Sequence, residues 1–240
     1  MERVFSEPEV RHDPSIAYRE LGANGPGVLP IANFIGGVAL EGIQIESDDP
    51  ARMPWWNAGS SYYNQRGLLI VQNHDVYALK LDEGDQEPLK RIPHAAMAAN
   101  SITRFIRGLA PALPRLARWA PDELSLHRYY DQEVGLSFHR DNKRFDGVIA
   151  VLSVEGECEF QVREDEFDDA PTSYDMLPGT LALVRASRLF EDAQDLLCPD
   201  HAVVNLKTPT RKSMQLRDNS RPGELVRGFT FANWQPDRVD

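Results

Sequence analysis

The chain has 240 residues, of which 42% are hydrophobic and 26% are charged, the composition of an ordinary globular protein that can bury one substantial core. Its 37 acidic and 26 basic residues give a formal net charge of -11. This acidity disfavours nucleic acid as a partner, because binding to phosphates normally needs clustered lysine and arginine. No basic segment leads into an apolar run at the start, and no run approaches about 20 apolar residues, so we expect a cytoplasmic protein without a signal peptide or a membrane partner.

The first third of the chain predicts an arm followed by strands. Residues 1–30 are polar and carry four prolines, which favours an extended or loosely ordered arm. Residues 34–45 combine apolar side chains with three glycines, a pattern typical of strands with glycine punctuation. Residues 67–72 and 76–81 predict two further strands, the second with a clean alternation of side chains.

Residues 55–65 form an unusually aromatic and amide-rich segment, with two tryptophans, two tyrosines, two asparagines and one glutamine. Aromatic faces next to amides suit a planar or hydroxylated ligand, which favours a substrate cover. The alternative interpretation is that this segment plugs the base of the β core.

The pattern becomes helical between residues 95 and 119. Ile102, Phe105 and Ile106 recur at three- and four-residue steps, as in a helix that lies on a core. Prolines at positions 111 and 114 then break or restart this helix.

Seven short apolar segments follow and predict strands that are joined by turns. They cover residues 124–129, 135–139, 148–154, 159–162, 180–184, 202–206 and 213–217. Such a succession favours a mainly β sandwich or jelly roll with supporting helices over a parallel α/β sheet. We expect one compact domain, in which residues 121–240 form the β core. Residues 1–120 would then supply the supporting helix, edge strands and the substrate cover.

The motif that points to chemistry is His139-Arg140-Asp141, followed 60 residues after Asp141 by His201. Residues i and i+2 of a strand project from one face, so His139 and Asp141 can reach the same metal ion. His201 begins another apolar strand, which can lie beside the first in a rolled sheet. Two histidines and one carboxylate cap one face of an octahedral Fe(II) and leave the opposite positions open.

Arg211 follows His201 by ten residues. A guanidinium at this point suits bidentate capture of a carboxylate, such as the far carboxylate of a keto acid. The remaining histidines have no ligand spacing and are interpreted as ordinary histidines: His12, His74, His94 and His127.

The order His-x-Asp, distal His and Arg resembles the Fe(II)/2-oxoglutarate-dependent dioxygenase superfamily. Arg211-Lys212-Ser213 matches the Arg-x-Ser element of many members, and the Arg211-x5-Arg217 spacing is similar to that of AlkB-like members. The resemblance covers roughly residues 124–220. The Asn-x-Tyr pattern of AlkB is replaced here by residues 127–130, His-Arg-Tyr-Tyr, which weakens the case for nucleobase repair.

The resemblance implies a double-stranded β-helix, the jelly-roll fold of the cupin type, with iron at its open end. Fe(II), 2-oxoglutarate and O2 are the implied cofactor and co-substrates. The implied iron ligands are His139, Asp141 and His201. The lip of the site is then expected at residues 142–145, immediately after Asp141.

The resemblance also implies a set of co-substrate contacts. Arg211 would bind the distal carboxylate of 2-oxoglutarate, with Ser213 as an accessory hydrogen bonder. Arg217 would contact the other end of the co-substrate or order Asp141. Either Tyr129 or Tyr130 would place its hydroxyl on the distal carboxylate, and the sequence leaves both open.

The implied reaction is hydroxylation of an unactivated C–H bond of a small-molecule substrate, with release of succinate and CO2. Asp141 disfavours halogenation, because halogenating relatives carry a small residue at that position. Alternatives are an AlkB-like oxidative demethylase of nucleic acid or nucleotides, and a peptide or protein hydroxylase. A non-catalytic β-roll binding module is the remaining alternative.

Overall fold

The computed structural model describes residues 14–58, 61–64, 67–80, 87–130, 134–163, 170–190 and 198–219. Four α-helices occur in these ranges: α1 (Pro14–Leu21), α2 (Gly37–Asp48), α3 (Glu87–Arg91) and α4 (Pro93–Gly108). A 3₁₀ helix follows at Pro114–Arg118. The helix predicted between residues 95 and 119 is therefore confirmed, and it ends ahead of the two prolines that the sequence marked as breakers.

Thirteen strands are present in the described ranges. The first half of the chain supplies β1 (Val28–Ile31), β2 (Trp56–Asn57), β3 (Tyr62–Tyr63), β4 (Leu69–Ile70) and β5 (His74–Lys80). The second half supplies β6 (Glu123–Tyr130), β7 (Val134–His139), β8 (Val148–Glu155), β9 (Cys158–Arg163), β10 (Thr172–Met176), β11 (Leu181–Arg185), β12 (Asp200–Val204) and β13 (Thr210–Arg217).

The strands form two main antiparallel sheets that face each other. The major sheet has the order β1-β11-β8-β13-β6-β5-β2, and the minor sheet has the order β10-β9-β12-β7. Strands β3 and β4 form a separate pair. This arrangement confirms the predicted fold class, a mainly β jelly roll with supporting helices.

Two apolar clusters hold the sheets and helices in place. One lies between the outer face of the major sheet and the helices, where Leu124 and Leu126 of β6 pack in the same cluster as Ile102 and Ile106 of α4. The other lies between the two sheets and includes Tyr129 of β6. Because both faces of β6 are covered, its side chains alternate between two buried environments.

The first third of the chain departs from the prediction. Residues 34–45, predicted as a strand, mostly belong to helix α2, whose buried residues lie at helical spacing: Ala39, Gly42, Ile43, Glu46 and Ser47. The polar arm predicted for residues 1–30 contains helix α1 and edge strand β1, while its first 13 residues lie outside the described ranges. Strand β10 was not predicted, because three of its five residues are polar and it lacks an apolar run.

Within the described part of the chain, no helix is both long and apolar enough to cross a lipid bilayer.

Candidate metal centre and co-substrate chamber

The two histidines of the predicted metal motif lie opposite each other in the minor sheet. His139 at the end of β7 pairs in register with His201 of β12, and their ring centroids are 4.3 Å apart. The carboxylate Oδ2 of Asp141 lies 3.3 Å from Nε2 of His201. One ligand atom from each of the three residues falls within 4.8 Å of the others, so the three side chains can hold one metal ion.

Backbone carbonyls orient both imidazoles. Nδ1 of His139 lies 2.9 Å from the carbonyl oxygen of Ser137, and Nδ1 of His201 lies 3.1 Å from that of Pro199. A ring that donates its Nδ1–H to a carbonyl keeps Nε2 as a lone-pair donor, which is how ligating histidines are normally fixed. Nε2 of His201 accordingly faces Asp141, at 3.3 Å from its Oδ2.

The ionisation states of His139 and Asp141 suit a cation at this point, and a metal ion would have to displace the proton that the raised pKa of His201 indicates. Burial lowers the pKa of His139 to about 4, so the ring is neutral at pH 7. For Asp141 the effect of burial is outweighed by the hydrogen bond with His201 and by the charge of Arg217, which hold its pKa well below the usual range. Asp141 also raises the pKa of His201 against the effect of burial. A neutral imidazole and an ionised carboxylate are the forms that bind metal ions.

Buried Asp200 connects the two strands that carry the candidate ligands. Its carboxylate forms an ion pair with Arg140, whose Nε lies 2.8 Å from Oδ1, and Nε of Arg163 lies 3.6 Å from Oδ2. Arg140 is the middle residue of the His-x-Asp motif, and Asp200 directly precedes His201. This ion pair thus connects the two parts of the metal motif, which are far apart in sequence.

A ladder of polar pairs covers the inner face of the major sheet. Strands β6 and β13 align so that polar residues stand opposite one another at every second position: Tyr129 with Arg211, His127 with Ser213, Ser125 with Gln215, and Glu123 with Arg217. Polar residues on an interior wall are costly unless they find partners. The ladder is therefore the chemically important part of this sheet.

Arg211 is fully buried, and none of its three guanidinium nitrogens has a hydrogen-bond partner among the described residues. Its guanidinium carbon lies 5.3 Å from the ring centre of Tyr129. The hydroxyls of Tyr129 and Ser213 are also buried without such a partner. Burial raises the pKa of Tyr129 to about 12, so its hydroxyl stays protonated. The Arg211 guanidinium can only donate and the two hydroxyls can also donate, so these groups together fit a carboxylate.

Arg217 and Tyr130, unlike Arg211 and Tyr129, have hydrogen-bond partners. Arg217 Nη1 donates to Oε1 of Glu123 at 2.8 Å and to Oγ of Ser125 at 3.0 Å, and its Nη2 contacts Gln215. Tyr130 is 38% exposed and bonds to Asp75 on the outer face. Of the two tyrosines that the sequence left open, Tyr129 is the one beside Arg211.

A cavity of about 850 Å³ opens above the candidate metal ligands His139 and Asp141. Tyr62 and Tyr63 line one part of it, and residues 142–145, the predicted lip, line another. Trp55 instead packs against the helical core and donates its Nε1–H to the carbonyl of Ser47 at 2.9 Å. The aromatic segment is thus divided between the cavity and the core, and residues 59, 60 and 65 lie outside the described ranges.

Two histidines that the sequence left as ordinary belong to the interior wall. His74 and His127 stack with ring centroids 4.9 Å apart, and His74 lies 5.0 Å from Tyr129. Nδ1 of each ring is buried and has no partner among the described residues. His127 lies two residues before Tyr129 and therefore on the same face of the strand, so the sequence could have indicated it. Nothing in the sequence pointed to His74, which comes from a strand 53 residues earlier than its neighbour His127.

Several solved structures are similar to this chain. JOX2 in complex with 2OG, Fe and JA has 15% identity and a TM-score of 0.61, with 92% of this chain and 75% of that chain covered. A full-length Neurospora crassa protein in complex with alpha-KG has 11% identity and a TM-score of 0.58, with 85% and 78% covered. An oxidoreductase of the 2OG-Fe(II) oxygenase family from Burkholderia pseudomallei has 18% identity and a TM-score of 0.53, with 85% and 88% covered.

No protein-family model matches the sequence, and no curated protein matches it significantly. At such low identity the similarity to solved structures establishes the fold. The chain has the double-stranded β-helix fold of the 2OG-Fe(II) oxygenases.

Proposed function

We propose that this protein is an Fe(II)- and 2-oxoglutarate-dependent dioxygenase that hydroxylates an unactivated C–H bond of a small molecule and releases succinate and CO2. The observation that carries this proposal is the fully buried Arg211 guanidinium, which has no acceptor among the described residues. An uncompensated buried charge costs several kcal/mol. A carboxylate of the co-substrate is the partner that would offset this cost.

The proposed roles follow the chemistry of each side chain. His139, Asp141 and His201 hold Fe(II), because two neutral imidazoles and a carboxylate are the donor set of non-haem iron oxygenases. Arg211, Tyr129 and Ser213 hold the distal carboxylate of 2-oxoglutarate. When bound, iron and the keto acid supply the activation of O2 for C–H oxygenation. The protein orients both, and the apolar cluster between the sheets, which includes Ile149, Val151 and Phe160, keeps water from their surroundings.

A small molecule is the preferred substrate class. A cavity of about 850 Å³ above the proposed iron ligands falls in the range of small-molecule sites. Tyr62 and Tyr63 are exposed at 48% and 73% beside it and are proposed to cover the substrate. Nucleic acid is less favoured because the net charge is -11 and Arg211 belongs to the interior ladder, although four basic residues line the cavity: Arg140, Lys143, Arg144 and Arg217.

Anaerobic titration of the purified protein tests the proposal. Fe(II) is added first and 2-oxoglutarate second, and the visible charge-transfer band of the iron–keto acid chelate is recorded. The expected result is a band that needs both additions and is absent from His139→Ala. A folded wild-type protein that gives no band would overturn the dioxygenase assignment and favour a β-roll binding module.

The substrate class is tested separately. Retention on single-stranded DNA is measured at low and at moderate salt, since nucleic-acid binding weakens steeply with ionic strength. We expect no salt-dependent retention. Salt-sensitive retention that Tyr63→Ser weakens would instead support the nucleic-acid alternative.

A further inference from the structure

A chain of hydrogen bonds along the polar ladder ends at His127. Nη1 of Arg217 lies 3.0 Å from Oγ of Ser125, and the same Oγ lies 3.1 Å from Nε2 of His127. Ser125 and His127 are 2% and 8% exposed. Their bonds are therefore shielded from competing water, and each proton in the chain has few alternatives.

The donors in this series of hydrogen bonds determine which nitrogen of His127 carries the proton. Arg217 can only donate, so Ser125 Oγ accepts from it. No other acceptor for the Ser125 hydroxyl exists among the described residues, and a buried hydroxyl proton without an acceptor costs about 1–3 kcal/mol. The hydroxyl therefore donates to Nε2. Because burial holds the pKa of His127 well below its ordinary value, the ring is neutral and its one proton resides on Nδ1.

The Nδ1–H of His127 is a further donor without an acceptor on the inner face of the major sheet. It is buried without a partner among the described residues, as are the guanidinium of Arg211 and the hydroxyls of Tyr129 and Ser213. Ser213 is the direct cross-strand partner of His127, and the next pair along the two strands is Tyr129 with Arg211. Four groups that can donate hydrogen bonds thus face one side of the major sheet without an acceptor, and a carboxylate could accept from them.

We propose that His127 is a co-substrate-binding residue that donates its Nδ1–H to an oxygen of the bound keto acid, and that Ser125 and Arg217 are positioning residues that fix this tautomer. This inference rests on the proposed function, because it assumes that the chamber holds 2-oxoglutarate. It gives Arg217 an indirect role, in which the arginine acts through Ser125 and His127.

The tautomer is tested by NMR of the full chain with ¹⁵N-labelled histidine and Zn(II) in place of iron, which keeps the sample diamagnetic. The signals of His127 are assigned by their loss in His127→Asn. We expect the Nδ1–H tautomer in the wild type and in Ser125→Thr, and a mixture of tautomers in Ser125→Ala. An Nε2–H tautomer in the wild type overturns the hydrogen-bond chain.

The contact with the co-substrate is tested by the affinity of the Fe(II)-loaded protein for 2-oxoglutarate under anaerobic conditions. His127→Asn keeps an N–H near the position of Nδ1, whereas His127→Phe removes it. A hydrogen bond to a charged acceptor is worth about 1.5–3 kcal/mol, so the Phe variant should bind about 10- to 100-fold more weakly. The Asn variant should stay within about threefold of the wild type.

Ser125→Ala should weaken 2-oxoglutarate binding about three- to tenfold, and Ser125→Thr should restore it. Ser47→Ala is the matched control, because it removes another buried serine hydroxyl, one that bonds within helix α2. Equal affinity in wild type, His127→Asn and His127→Phe overturns this inference alone. A wild-type protein that binds no 2-oxoglutarate at all overturns the proposed function, and this inference with it.

Discussion

Consecutive residues of β13 have opposite environments. Arg211 points into the roll and has no partner among the described residues, whereas Lys212 points to the outer face and pairs with Asp48 and, at 2.7 Å, with Glu155. Both side chains are almost fully buried. In the sequence they are simply two adjacent basic residues. The difference that matters for chemistry is which of them already has an acceptor.

Arg211→Met is expected to stabilise the ligand-free protein and to impair co-substrate binding. Replacing an unpaired buried charge with an apolar side chain of similar length should raise the free energy of unfolding by about 1–3 kcal/mol. It should also weaken 2-oxoglutarate binding more than about 100-fold. Urea denaturation and anaerobic titration measure the two effects. The control is Lys212→Met, which should lower stability and leave 2-oxoglutarate affinity unchanged, and a destabilised Arg211→Met would contradict the prediction.

The neighbouring residues Tyr129 and Tyr130 allow a second test with a matched control. Tyr129→Phe removes a buried hydroxyl that has no partner among the described residues, and Tyr130→Phe removes one that bonds to Asp75 on the outer face. We expect Tyr129→Phe to raise the dissociation constant for 2-oxoglutarate about 5- to 30-fold, because a hydrogen bond to a carboxylate is lost. Tyr130→Phe should leave it unchanged. Equal effects in both variants would refute the assignment of Tyr129 to the chamber.

At the scale of single elements, the β core was predictable because its strands have a clear period of two. All seven predicted segments from residue 124 onward correspond to strands of the structure. The alternation of polar and apolar residues at the start of β6 separates its two faces, but because both faces are largely buried it did not show that the polar face lies between the sheets. Helix α2 was read as a strand because Gly36, Gly37 and Gly42 suggested turn punctuation.

Gly42 allows helices α2 and α4 to approach closely. A Cβ at this position would lie 2.3 Å from Cδ2 and 2.4 Å from Cγ of His94. The ring of His94 cannot move freely, because its Nδ1 bonds to buried Glu46 at 2.8 Å. This contact explains why a residue with poor helix propensity occupies the middle of α2.

Gly42→Ala is expected to lower the free energy of unfolding by about 1–3 kcal/mol, since overpacking outweighs the gain in helix propensity. Gly108→Ala is the matched control, because nothing lies within 4 Å of a Cβ added there. That change should stabilise the protein by about 0.5–1 kcal/mol. Chemical denaturation of the two variants measures both values, and a stabilised Gly42→Ala would show that α2 and α4 can separate without cost.

At the scale of the whole molecule, the site depends on contacts that are distant in sequence. The motif identifies His139, Asp141 and His201 as candidate ligands by spacing alone, and the rolled sheets bring their ligand atoms within 4.8 Å. The His74–His127 stack could not be predicted in this way, because it joins strands from both halves of the chain. A site residue that lies outside the motif can therefore be identified only from the three-dimensional structure of the sheet.

This interior stack predicts a dependence of global stability on pH. Burial lowers the pKa of His74 from 6.5 to about 4 and lowers that of His127 well below 6.5. The unfolded chain therefore binds more protons than the folded chain below pH 6.5, so the free energy of unfolding must fall as the pH decreases from about 6.5 toward 4. Each histidine contributes at most about 1.4 kcal/mol per pH unit in this window.

Urea denaturation at pH 7, 6 and 5 measures the slope, and His74→Gln provides the comparison. Since the variant has lost one of the three rings whose pKa burial lowers, His74, His127 and His139, its stability should fall less steeply between pH 6 and 5, by about 1 kcal/mol per pH unit. Above pH 6.5 its pH dependence should match that of the wild type. Identical slopes in the two proteins would mean that His74 is protonated as easily in the folded state as in the unfolded chain, and the interior wall would then have to admit water.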